Sequence, residues 1–571
     1  MKKCLLLTLS LFLLTMNVWG GKVTPQQAQH KAESLVMELL NDKTFHGRRV
    51  NMSQIPSVTQ SYVAEDEVLY LFNIGDDEGF VIVSGDDRTE SILGYADEGS
   101  FNMEEAPENV KAWLKGYECQ IRWIQEHGTS LRSAPRRAPK ATIYPLLKTL
   151  WNQYSPYNLK LSFPEYFGNK LCLTGCVATA MAQMMYYHQW PAAGCSVIPE
   201  YTIEARWTSD GTDHTFNALP AATFDWSAMK ASYSGNETDA SAVAVATLMR
   251  YCGQSVEMNY GIDGSGASTA LAAEAFKQYF GYDEDVRSLS RDRYDAAEWD
   301  DMMFRELQNK RPVIYSGSTS DNFGHAFILD GYKDGKYHIN WGWGDGWNGH
   351  FLLSVADPYH EDLTDPTQGT EAYAYNQEAV IGIQKPDGIY EVDRRLTITE
   401  IGLFNDVDYA LSYKVENQCG INGNYDLAIG VIDASGNVLS ILTDLLADYP
   451  LPTNSWYGGG AMPMRSSSDH ENLLLTIVCK LSSASSYQPC IGWEDHIMIA
   501  KPEHMYGNAF TLVPKTNVSI ATGIHSVEKD TTAPSYYLLN GMQVKKPGKG
   551  IVIVNGKKVV GEERGEMKDE R

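Results

Sequence analysis

The sequence predicts a multidomain α+β protein that ends in a β-rich region. The chain has 571 residues, whereas a single domain holds about 100 to 200. In the first quarter, apolar residues recur at helical spacing next to short strand-like stretches. From residue 387 onward, strand-like stretches divided by turns replace the helical pattern.

The composition is that of a globular protein, and the charge disfavours nucleic acid as a partner. Hydrophobic residues make up 43% of the chain and charged residues 21%, which is enough to build buried cores. The 47 basic and 72 acidic residues give a formal net charge of -25, which repels a polyanion. We therefore expect no nucleic-acid partner.

Residues 1–20 have the pattern of a secretory signal peptide. Two lysines precede a short apolar run, Cys4–Met16, and Val18-Trp19-Gly20 offers small residues for cleavage. The apolar run is shorter than the about 20 residues that cross a bilayer. We therefore expect an exported protein without a membrane span.

The cysteines indicate neither a disulfide scaffold nor a metal site. The chain has 9 cysteines, and Cys4 lies within the predicted signal peptide. The density of the others is too low for a disulfide framework. Cys172 and Cys176 lack a second pair at zinc-binding spacing, so we expect no metal and no cofactor.

Residues 21–136 are predicted to form a compact α+β unit. Residues 25–40 and 108–127 have the spacing of helices, and residues 60–95 alternate strands with turns. The unit ends in GTSLRSAPRRAPKAT, a basic stretch without apolar periodicity. This pattern is typical of an exposed linker that a protease cuts readily.

Three further units follow along the chain. Residues 137–386 are rich in Trp and Tyr and form the second predicted domain. Residues 387–520 carry repeated short strands, which predict a β-sandwich. Residues 521–571 hold strands joined by Asn-Gly turns and a charged tail, which predict a small β-type module.

One segment places a cysteine at the start of a predicted helix. From Cys176 onward, apolar residues recur at intervals of three and four, the spacing of one helical face. The free N–H groups and the dipole at a helix N-terminus favour the thiolate, which is the nucleophilic form. Gly175 leaves room for a substrate to approach. The alternative is a buried structural cysteine, and this segment alone does not decide between the two.

A second segment supplies a histidine. Residues 322–332, NFGHAFILDGY, predict a strand with His325 on one face, and the chain returns as a hairpin after a turn at Asp334-Gly335. A thiol and an imidazole within hydrogen-bond reach form an ion pair that supplies a nucleophile and a proton donor. The two residues need only meet in the fold. The alternative is an ordinary strand histidine.

Together these segments resemble the streptopain family of cysteine proteases, a papain-like group of secreted bacterial enzymes made as zymogens. The resemblance rests on Gly175-Cys176-Val-Ala-Thr-Ala, on Gly324-His325-Ala-Phe and on His338-Ile-Asn340-Trp341-Gly-Trp-Gly. It covers most of residues 140–386. It implies a papain-like catalytic core over residues 137–386, preceded by an α+β inhibitory propeptide over residues 21–136.

The resemblance also implies roles for single residues. Cys176 would be the nucleophile, and His325 would be the general base and acid. The side chain of Gln153 would complete the oxyanion hole beside the Cys176 N–H. Donors of this kind are worth about 2.7 to 4 kcal/mol each.

The third catalytic position stays open between Asn340 and Trp341. Papain-like enzymes usually orient the histidine with an asparagine, but neighbours on a strand point to opposite faces. The resemblance favours Trp341, whose indole would stabilise the imidazolium by a cation–π contact of about 0.5 to 2 kcal/mol. Asn340 would then hydrogen-bond nearby backbone. For Trp343, aromatic packing and substrate contact are equally favoured.

Substrate binding is implied at Gly324 and at the loop that contains Ser265 and Gly266. These positions would bind the peptide backbone and an apolar side chain next to the cleaved residue. A serine that the family uses there falls on Gly266. A hydroxyl contact at that position would therefore be lost.

The sequence thus predicts an exported zymogen cysteine endopeptidase that hydrolyses polypeptides through an acyl-enzyme. The propeptide would be an intramolecular inhibitor until the linker at Arg132–Lys140 is cut. One alternative is a surface binding or adhesion protein with a vestigial protease core. Another is an acyl transferase that uses the same Cys–His pair. The resemblance also implies a part in virulence.

Overall fold

The computed structural model divides the chain into two compact units, with the boundary after Pro514. It describes residues 21–41, 56–127, 140–294, 296–319, 324–344, 346–354, 375–389, 392–464, 472–502, 508–515 and the strands between 536 and 568. The predicted signal peptide and most of the predicted linker lie outside these residues. Within them, we find no helix whose length and apolar character would let it cross a bilayer.

Helices and strands both occur in the first unit, as predicted for an α+β protein. The helices are α1 (Pro25–Asn41), α2 (Glu108–His127), α3 (Pro164–Phe167), α4 (Cys176–His188), α5 (Ala240–Ser255), α6 (Ala270–Gln278) and α7 (Ala296–Gln308). The strands up to residue 381 are β1 (Val58–Val63), β2 (Leu69–Ile74), β3 (Phe80–Ser84), β4 (Ile92–Ala96), β5 (Tyr201–Ile203), β6 (His214–Phe216), β7 (Arg287–Ser290), β8 (Val313–Ser318), β9 (Gly324–Lys333), β10 (Lys336–Asn340), β11 (Gly349–Phe351) and β12 (Tyr375–Ile381).

Strands β2 and β3 are buried on both faces, which explains their nearly continuous apolar sequence. Tyr70 and Phe72 pack in the cluster that contains α1, whereas Leu69 and Leu71 pack in the cluster that contains α2. This alternation is the period of two residues that a strand imposes. A strand with a helix on each face needs no polar side.

A single ten-stranded sheet runs through the N-terminal part, residues 21–127, and the central part, residues 140–389. Its order is β1-β2-β3-β4-β11-β10-β9-β8-β12-β7. The two parts join where β4 pairs with β11, with His350 opposite Tyr95 and Phe351 opposite Gly94. A Cβ on Gly94 would lie 2.8 Å from the Phe351 ring, so glycine is needed for this close approach.

The two faces of the catalytic strands are covered by different helices. Ala326 and Ile328 of β9 pack in the cluster that contains α4, α5 and α6. Phe327 and Leu329 pack in the cluster that contains α7 and the N-terminal helix α2. The predicted alternation of this strand is confirmed. The N-terminal part thus completes the core of the central part.

The region after residue 392 is a β-sandwich. Its strands are β13 (Thr397–Leu403), β14 (Leu411–Glu416), β15 (Gly423–Ile432), β16 (Val438–Leu451), β17 (Trp456–Ala461), β18 (Leu473–Leu481), β19 (Gln488–Pro489), β20 (Met498–Lys501) and β21 (Thr511–Pro514). One sheet has the order β13-β14-β17 and the other β16-β15-β18-β20-β21, with β19 on β18. Val415 of the first sheet and Ile429 and Ile477 of the second share one core. The predicted β-sandwich is confirmed.

The second unit, Lys515–Arg571, is a small antiparallel sheet. Its strands are β22 (Tyr536–Leu538), β23 (Gln543–Val544), β24 (Gly550–Val554), β25 (Lys557–Gly561) and β26 (Met567–Lys568), in the order β23-β22-β24-β25-β26. The Asn-Gly turns that the sequence predicts there lie outside the described residues.

Candidate active site

Cys176 begins α4, as predicted. Gly175 before it has a positive φ of 83°, a conformation that residues with a side chain rarely adopt. A Cβ on Gly175 would also lie 2.6 Å from Cε of Met258. The backbone conformation of the turn therefore favours glycine, whereas the flexible end of the Met258 side chain could move aside. The role of Gly175 in substrate access stays a prediction.

Cys176 has a free thiol and is partly buried. The backbone N–H groups of Ala326 and Val177 stabilise its anionic form, as does its own N–H. Burial nevertheless raises the pKa of the Cys176 thiol, because it disfavours the thiolate more than these groups favour it. The N–H groups at the helix start thus act in the predicted direction, and a thiolate at Cys176 stays a prediction.

His325 lies near the start of β9. Its Nε2–H donates to the carbonyl oxygen of Trp341 at 2.9 Å, and its ring stacks on that of Trp343. Burial lowers the pKa of His325 to about 4, although the Trp341 carbonyl acts to raise it. The imidazole is therefore neutral at pH 7. Because Nε2 carries the proton, Nδ1 is the proton acceptor.

Strand β9 brings the predicted nucleophile and the predicted base to one place. Ala326, whose N–H stabilises the sulfur anion, directly follows His325 in the strand. The thiol and the imidazole are both uncharged here, since burial shifts both pKa values against the charged forms. Ion-pair formation between Cys176 and His325 stays a prediction.

Trp343, not Trp341, stacks on the histidine. The ring centroids of Trp343 and His325 are 5.5 Å apart with 10° between the planes, whereas the Trp341 ring lies at 6.4 Å and is tilted by 31°. Strand β10 ends at Asn340, and Gly342 has a φ of 76°. The turn at this glycine carries Trp343 over the imidazole. The cation–π contact of Trp341 with an imidazolium stays a prediction, and Trp343 is the ring stacked on His325.

The side chain of Asn340 contacts groups other than His325. Its amide nitrogen donates to the Thr149 carbonyl at 2.8 Å, and its oxygen accepts the Gly342 N–H at 3.1 Å. It also forms an amide pair with Gln183. These are the backbone contacts expected if Asn340 does not orient the histidine. Its direct catalytic role finds no support in them.

Gln153 lies beside the turn that leads to the nucleophile. It is 4% exposed, and its carbonyl oxygen accepts the Thr174 N–H at 3.2 Å. This bond ties the Gln153 backbone to Thr174, which lies two residues before Cys176. The location suits an oxyanion-hole donor, and that role stays a prediction.

The predicted substrate loop is tied to the same turn. The Ser265 hydroxyl donates to the Leu173 carbonyl at 2.8 Å and accepts a backbone N–H of its own loop. Gly266 exchanges both backbone hydrogen bonds with Asn259. Because these groups are engaged, a substrate would have to use other atoms of Ser265 and Gly266. Gly324 is exposed, and a Cβ there would make only ordinary contacts.

Helix α2 of the N-terminal part packs on the aromatic turn. Oδ1 of Asn109 accepts the indole N–H of Trp343 at 2.9 Å. Trp113, one helical turn later, packs edge-on against Phe327 and Trp341, with centroids 5.6 and 5.7 Å apart. The helix pattern indicated a buried face for α2 but not which residues it covers. Asn109 and Trp113 were therefore missed by the sequence analysis.

One polar residue of α4, Gln183, was not among the predicted site residues. Gln183 is 1% exposed within the largely apolar stretch CVATAMAQMMYY. Buried polar side chains nearly always have a hydrogen-bond partner. A glutamine in such a helix is therefore a signal for a partner across the core.

Comparison with known protein families separates the N-terminal and catalytic parts. Residues 151–351 match the Peptidase C10 family, and residues 21–121 match the Spi protease inhibitor family. Cys176 and His325 lie within the first match. The predicted pairing of a cysteine protease with an inhibitory propeptide is confirmed at the level of these families.

Several known proteins are similar to this chain. Streptopain of Streptococcus pyogenes is 34% identical over 336 residues, which cover 55% of this chain and 80% of streptopain. The thiol protease/hemagglutinin PrtT of Porphyromonas gingivalis is 32% identical over 443 residues, which cover 74% of this chain. The match covers 49% of PrtT, so the chain spans about half the length of that relative.

One solved structure is also similar. A prointerpain A fragment of Prevotella intermedia has 30% sequence identity and a TM-score of 0.47, and the match covers 58% of this chain and 99% of the fragment. The identity and coverage of streptopain decide the classification. The chain belongs to the Peptidase C10 family, the streptopain family of cysteine-type endopeptidases, and it carries the protease-inhibitor domain ahead of the catalytic domain.

Proposed function

We propose that this protein is an exported zymogen that becomes a cysteine endopeptidase acting on polypeptides. One observation carries the proposal. The Cys176 sulfur lies at a helix N-terminus and is stabilised by the N–H of Ala326, the residue after His325. A nucleophile beside a base is the arrangement that covalent peptide hydrolysis needs.

The contacts of His325 suggest how the acid–base step proceeds. Its Nε2–H is held by the Trp341 carbonyl, which leaves Nδ1 to take the proton of the Cys176 thiol. The thiolate attacks the peptide carbonyl, and the oxyanion is bound by the Cys176 N–H and the Gln153 amide. The imidazolium then protonates the leaving amine. Water deprotonated by His325 releases the acyl group.

In this mechanism Trp341 fills the third catalytic position through its backbone. A carbonyl oxygen that accepts from Nε2 fixes the tautomer and the ring orientation, as a side-chain amide would. Trp343 adds a stacked ring that favours the imidazolium once it forms. The asparagine of other papain-like enzymes is then not needed at this point.

The N-terminal domain is proposed to keep the enzyme inactive. Asn109 and Trp113 of α2 contact the tryptophans that surround His325. Removal of this helix would expose the site to solvent. The pKa of Cys176 would then fall and that of His325 would rise, which favours the thiolate and the imidazolium. The propeptide would therefore suppress ionisation of the dyad as well as block the substrate.

The cut is proposed to fall before Lys140. The Lys140 ammonium forms ion pairs with Asp300 at 2.5 Å and Asp301 at 2.9 Å. Three residues later, Ile143 exchanges backbone hydrogen bonds with Tyr332 of β9. The catalytic domain is thus anchored from Lys140, its first described residue, which favours a cut on the N-terminal side of this position. Export stays a prediction from residues 1–20, which lie outside the described residues, and a part in virulence stays a prediction from the family resemblance.

An irreversible thiol-directed peptide inhibitor tests the proposal. We expect it to label Cys176 in the processed enzyme, and to label the uncut precursor at least about tenfold more slowly, because the thiolate is the reactive form. Mass spectrometry of the digested protein identifies the site. Cys172 is the control, since burial raises its pKa to about 12 and should leave it unmodified.

Two results would contradict the proposal in different ways. A processed protein that reacts at Cys172 but not at Cys176 would place the nucleophile elsewhere. A protein labelled at Cys176 that transfers acyl groups to amines but releases no peptide fragments from casein would favour the acyl-transferase alternative.

The strand junction between propeptide and catalytic domain contains a titratable pair. The His350 ring of β11 stacks on Tyr95 of β4, with centroids 4.9 Å apart, and meets the His338 ring of β10 at 5.2 Å. Burial, together with the positive charges of His338, Lys333 and Lys336, holds the pKa of His350 well below its usual range. His350 is therefore neutral in the docked form.

The other groups at the junction have a smaller effect on docking. Burial lowers the pKa of His338, but the Asp330 carboxylate outweighs burial and raises it. Asp330 belongs to the catalytic domain and stays after the propeptide leaves. Only Asp97 and Glu98 of the propeptide would be lost, and they are the lesser causes.

Propeptide binding is expected to weaken as the pH falls below about 6.5, the usual pKa of a histidine. Above this pH, His350 is neutral in the docked and the separated forms. Below it, the separated form takes up a proton that the docked form resists, because burial by the propeptide is lost while the charges of His338, Lys333 and Lys336 remain. Dissociation is then favoured by up to about tenfold per pH unit. The dissociation constant of the nicked propeptide, measured at pH 7.5 and 5.5 in the Cys176→Ala protein, checks this.

His350→Phe is the matched control for this prediction. Phenylalanine keeps a ring against Tyr95 but cannot take up a proton. We expect its propeptide affinity to vary less with pH than that of the parent protein. Equal pH dependence in the two proteins would show that another group controls docking.

A further inference from the structure

A buried amide pair joins the helix of the nucleophile to the turn that holds the histidine. Oε1 of Gln183 accepts from Nδ2 of Asn340 at 3.2 Å, and Nε2 of Gln183 donates to Oδ1 of Asn340 at 3.4 Å. The Thr149 hydroxyl donates to the same Oε1 at 2.7 Å. Gln183 is 1% exposed, and Asn340 and Thr149 are 3% exposed each. The three side chains form one closed network.

Gln183 extends this network to the nucleophile. It lies in α4, seven residues after Cys176, and seven residues are about two helical turns. The two positions therefore share one face of the helix. A rigid helix transmits the position of Gln183 to the residue that begins it.

Asn340 extends the network to the base. It ends β10, and the next carbonyl, that of Trp341, accepts the Nε2–H of His325. Oδ1 of Asn340 also accepts the Gly342 N–H, which fixes the turn that carries Trp343. The orientation of Asn340 thus sets the position of both groups that hold the imidazole.

Thr149 extends the network to the proposed oxyanion donor. It precedes Gln153 by one short segment, and the carbonyl of Trp151 in that segment accepts the Gly344 N–H at 3.2 Å. The Cys176 helix, the turn that holds His325 and the segment just before Gln153 therefore meet at one glutamine. They are far apart in sequence, so noncovalent contacts must fix their spacing.

We infer that Gln183 is a positioning residue, which holds the histidine turn and the oxyanion segment in register with the Cys176 helix. The inference rests on the proposed function. A methionine could fill the same volume among the methionines of this helix, Met181, Met184 and Met185. Packing alone therefore does not require an amide here. The amide gives the buried Thr149 hydroxyl an acceptor and adds two hydrogen bonds to the buried Asn340 side chain, which methionine cannot do.

Gln183→Met is the principal test. It keeps the length of the side chain and removes both hydrogen bonds to Asn340. We expect kcat for a peptide substrate to fall roughly 30-fold with little change in KM, because misplacement by about 1 Å costs up to 100-fold. The rate of Cys176 alkylation should also depend on pH with a shifted acid limb, since this limb reports the Cys–His ionisation.

Three further variants separate positioning from a loss of stability. Gln183→Glu keeps the acceptor for Thr149 and Asn340, and we expect it to recover most of the lost kcat. Thr149→Val removes only the hydroxyl that fixes the amide, and we expect a milder loss of roughly threefold to tenfold. Met184→Leu conserves volume at the next buried position and should keep kcat, KM and the pH profile of the parent.

The outcomes distinguish the inference from the function on which it rests. The inference is wrong if Gln183→Met lowers the melting temperature but keeps kcat and the alkylation profile, or if Met184→Leu loses as much activity. If Gln183→Met does not fold, the kcat of Thr149→Val is the deciding measurement. An unchanged kcat in that variant overturns the inference. A processed parent enzyme without activity overturns the proposed function and the inference together.

Discussion

Replacing Cys176 with alanine is expected to abolish casein hydrolysis and self-processing while the fold stays intact. Removal of a catalytic nucleophile lowers kcat by about 10⁶-fold in a serine protease, and a loss of this order is expected here. Alanine is a good helix former, so α4 can still begin at residue 176. The variant should remain a full-length precursor, as judged by mass, with a melting temperature near that of the parent.

Cys172→Ala is the matched control for this prediction. Cys172 is fully buried four residues earlier, and burial raises its pKa to about 12. Its removal should cost stability through a small cavity but leave processing and activity nearly unchanged. Casein hydrolysis by Cys176→Ala, or its loss in folded Cys172→Ala, would show that the nucleophile has been misassigned.

The parts of the site that the sequence predicted well depend on local patterns. Helical spacing after Gly175 placed the start of α4 at Cys176, because a helix repeats every 3.6 residues. Alternation in NFGHAFILDGY placed His325 at the start of a strand, and Asp334-Gly335 placed the hairpin turn. In each case the signal lies within about ten residues of the position that it predicts.

The parts that were missed depend on contacts between distant segments. Nothing near His350 indicates that β11 pairs with β4 of the propeptide. The stacking of Trp343 on His325 depends on the turn at Gly342. Strand alternation does not predict where a side chain beyond such a turn lies. The protonation of Cys176 depends on burial, which the helix pattern alone does not determine.

The same long-range contacts explain why the propeptide can control the site. The hydrophobic cluster of α2 includes Trp113 and also Phe327 and Trp341 of the catalytic domain. The two domains therefore share a core around the tryptophans that hold His325. A large side chain at the centre of that core should contribute more to latency than the rim of the interface does.

Trp113→Ala is expected to raise the rate of Cys176 alkylation in the uncut precursor by roughly 100- to 1,000-fold. Replacing a buried tryptophan with alanine lowers the free energy of unfolding by about 3 to 5 kcal/mol, which weakens the packing of α2 on the site. Iodoacetamide labelling followed by mass measures the rate, and thermal unfolding shows whether the catalytic domain stays folded. Trp123→Ala, at a half-buried position of the same helix, should change the rate far less. If both variants react at the parental rate, helix α2 does not control access to the sulfur, and latency must arise from another part of the propeptide.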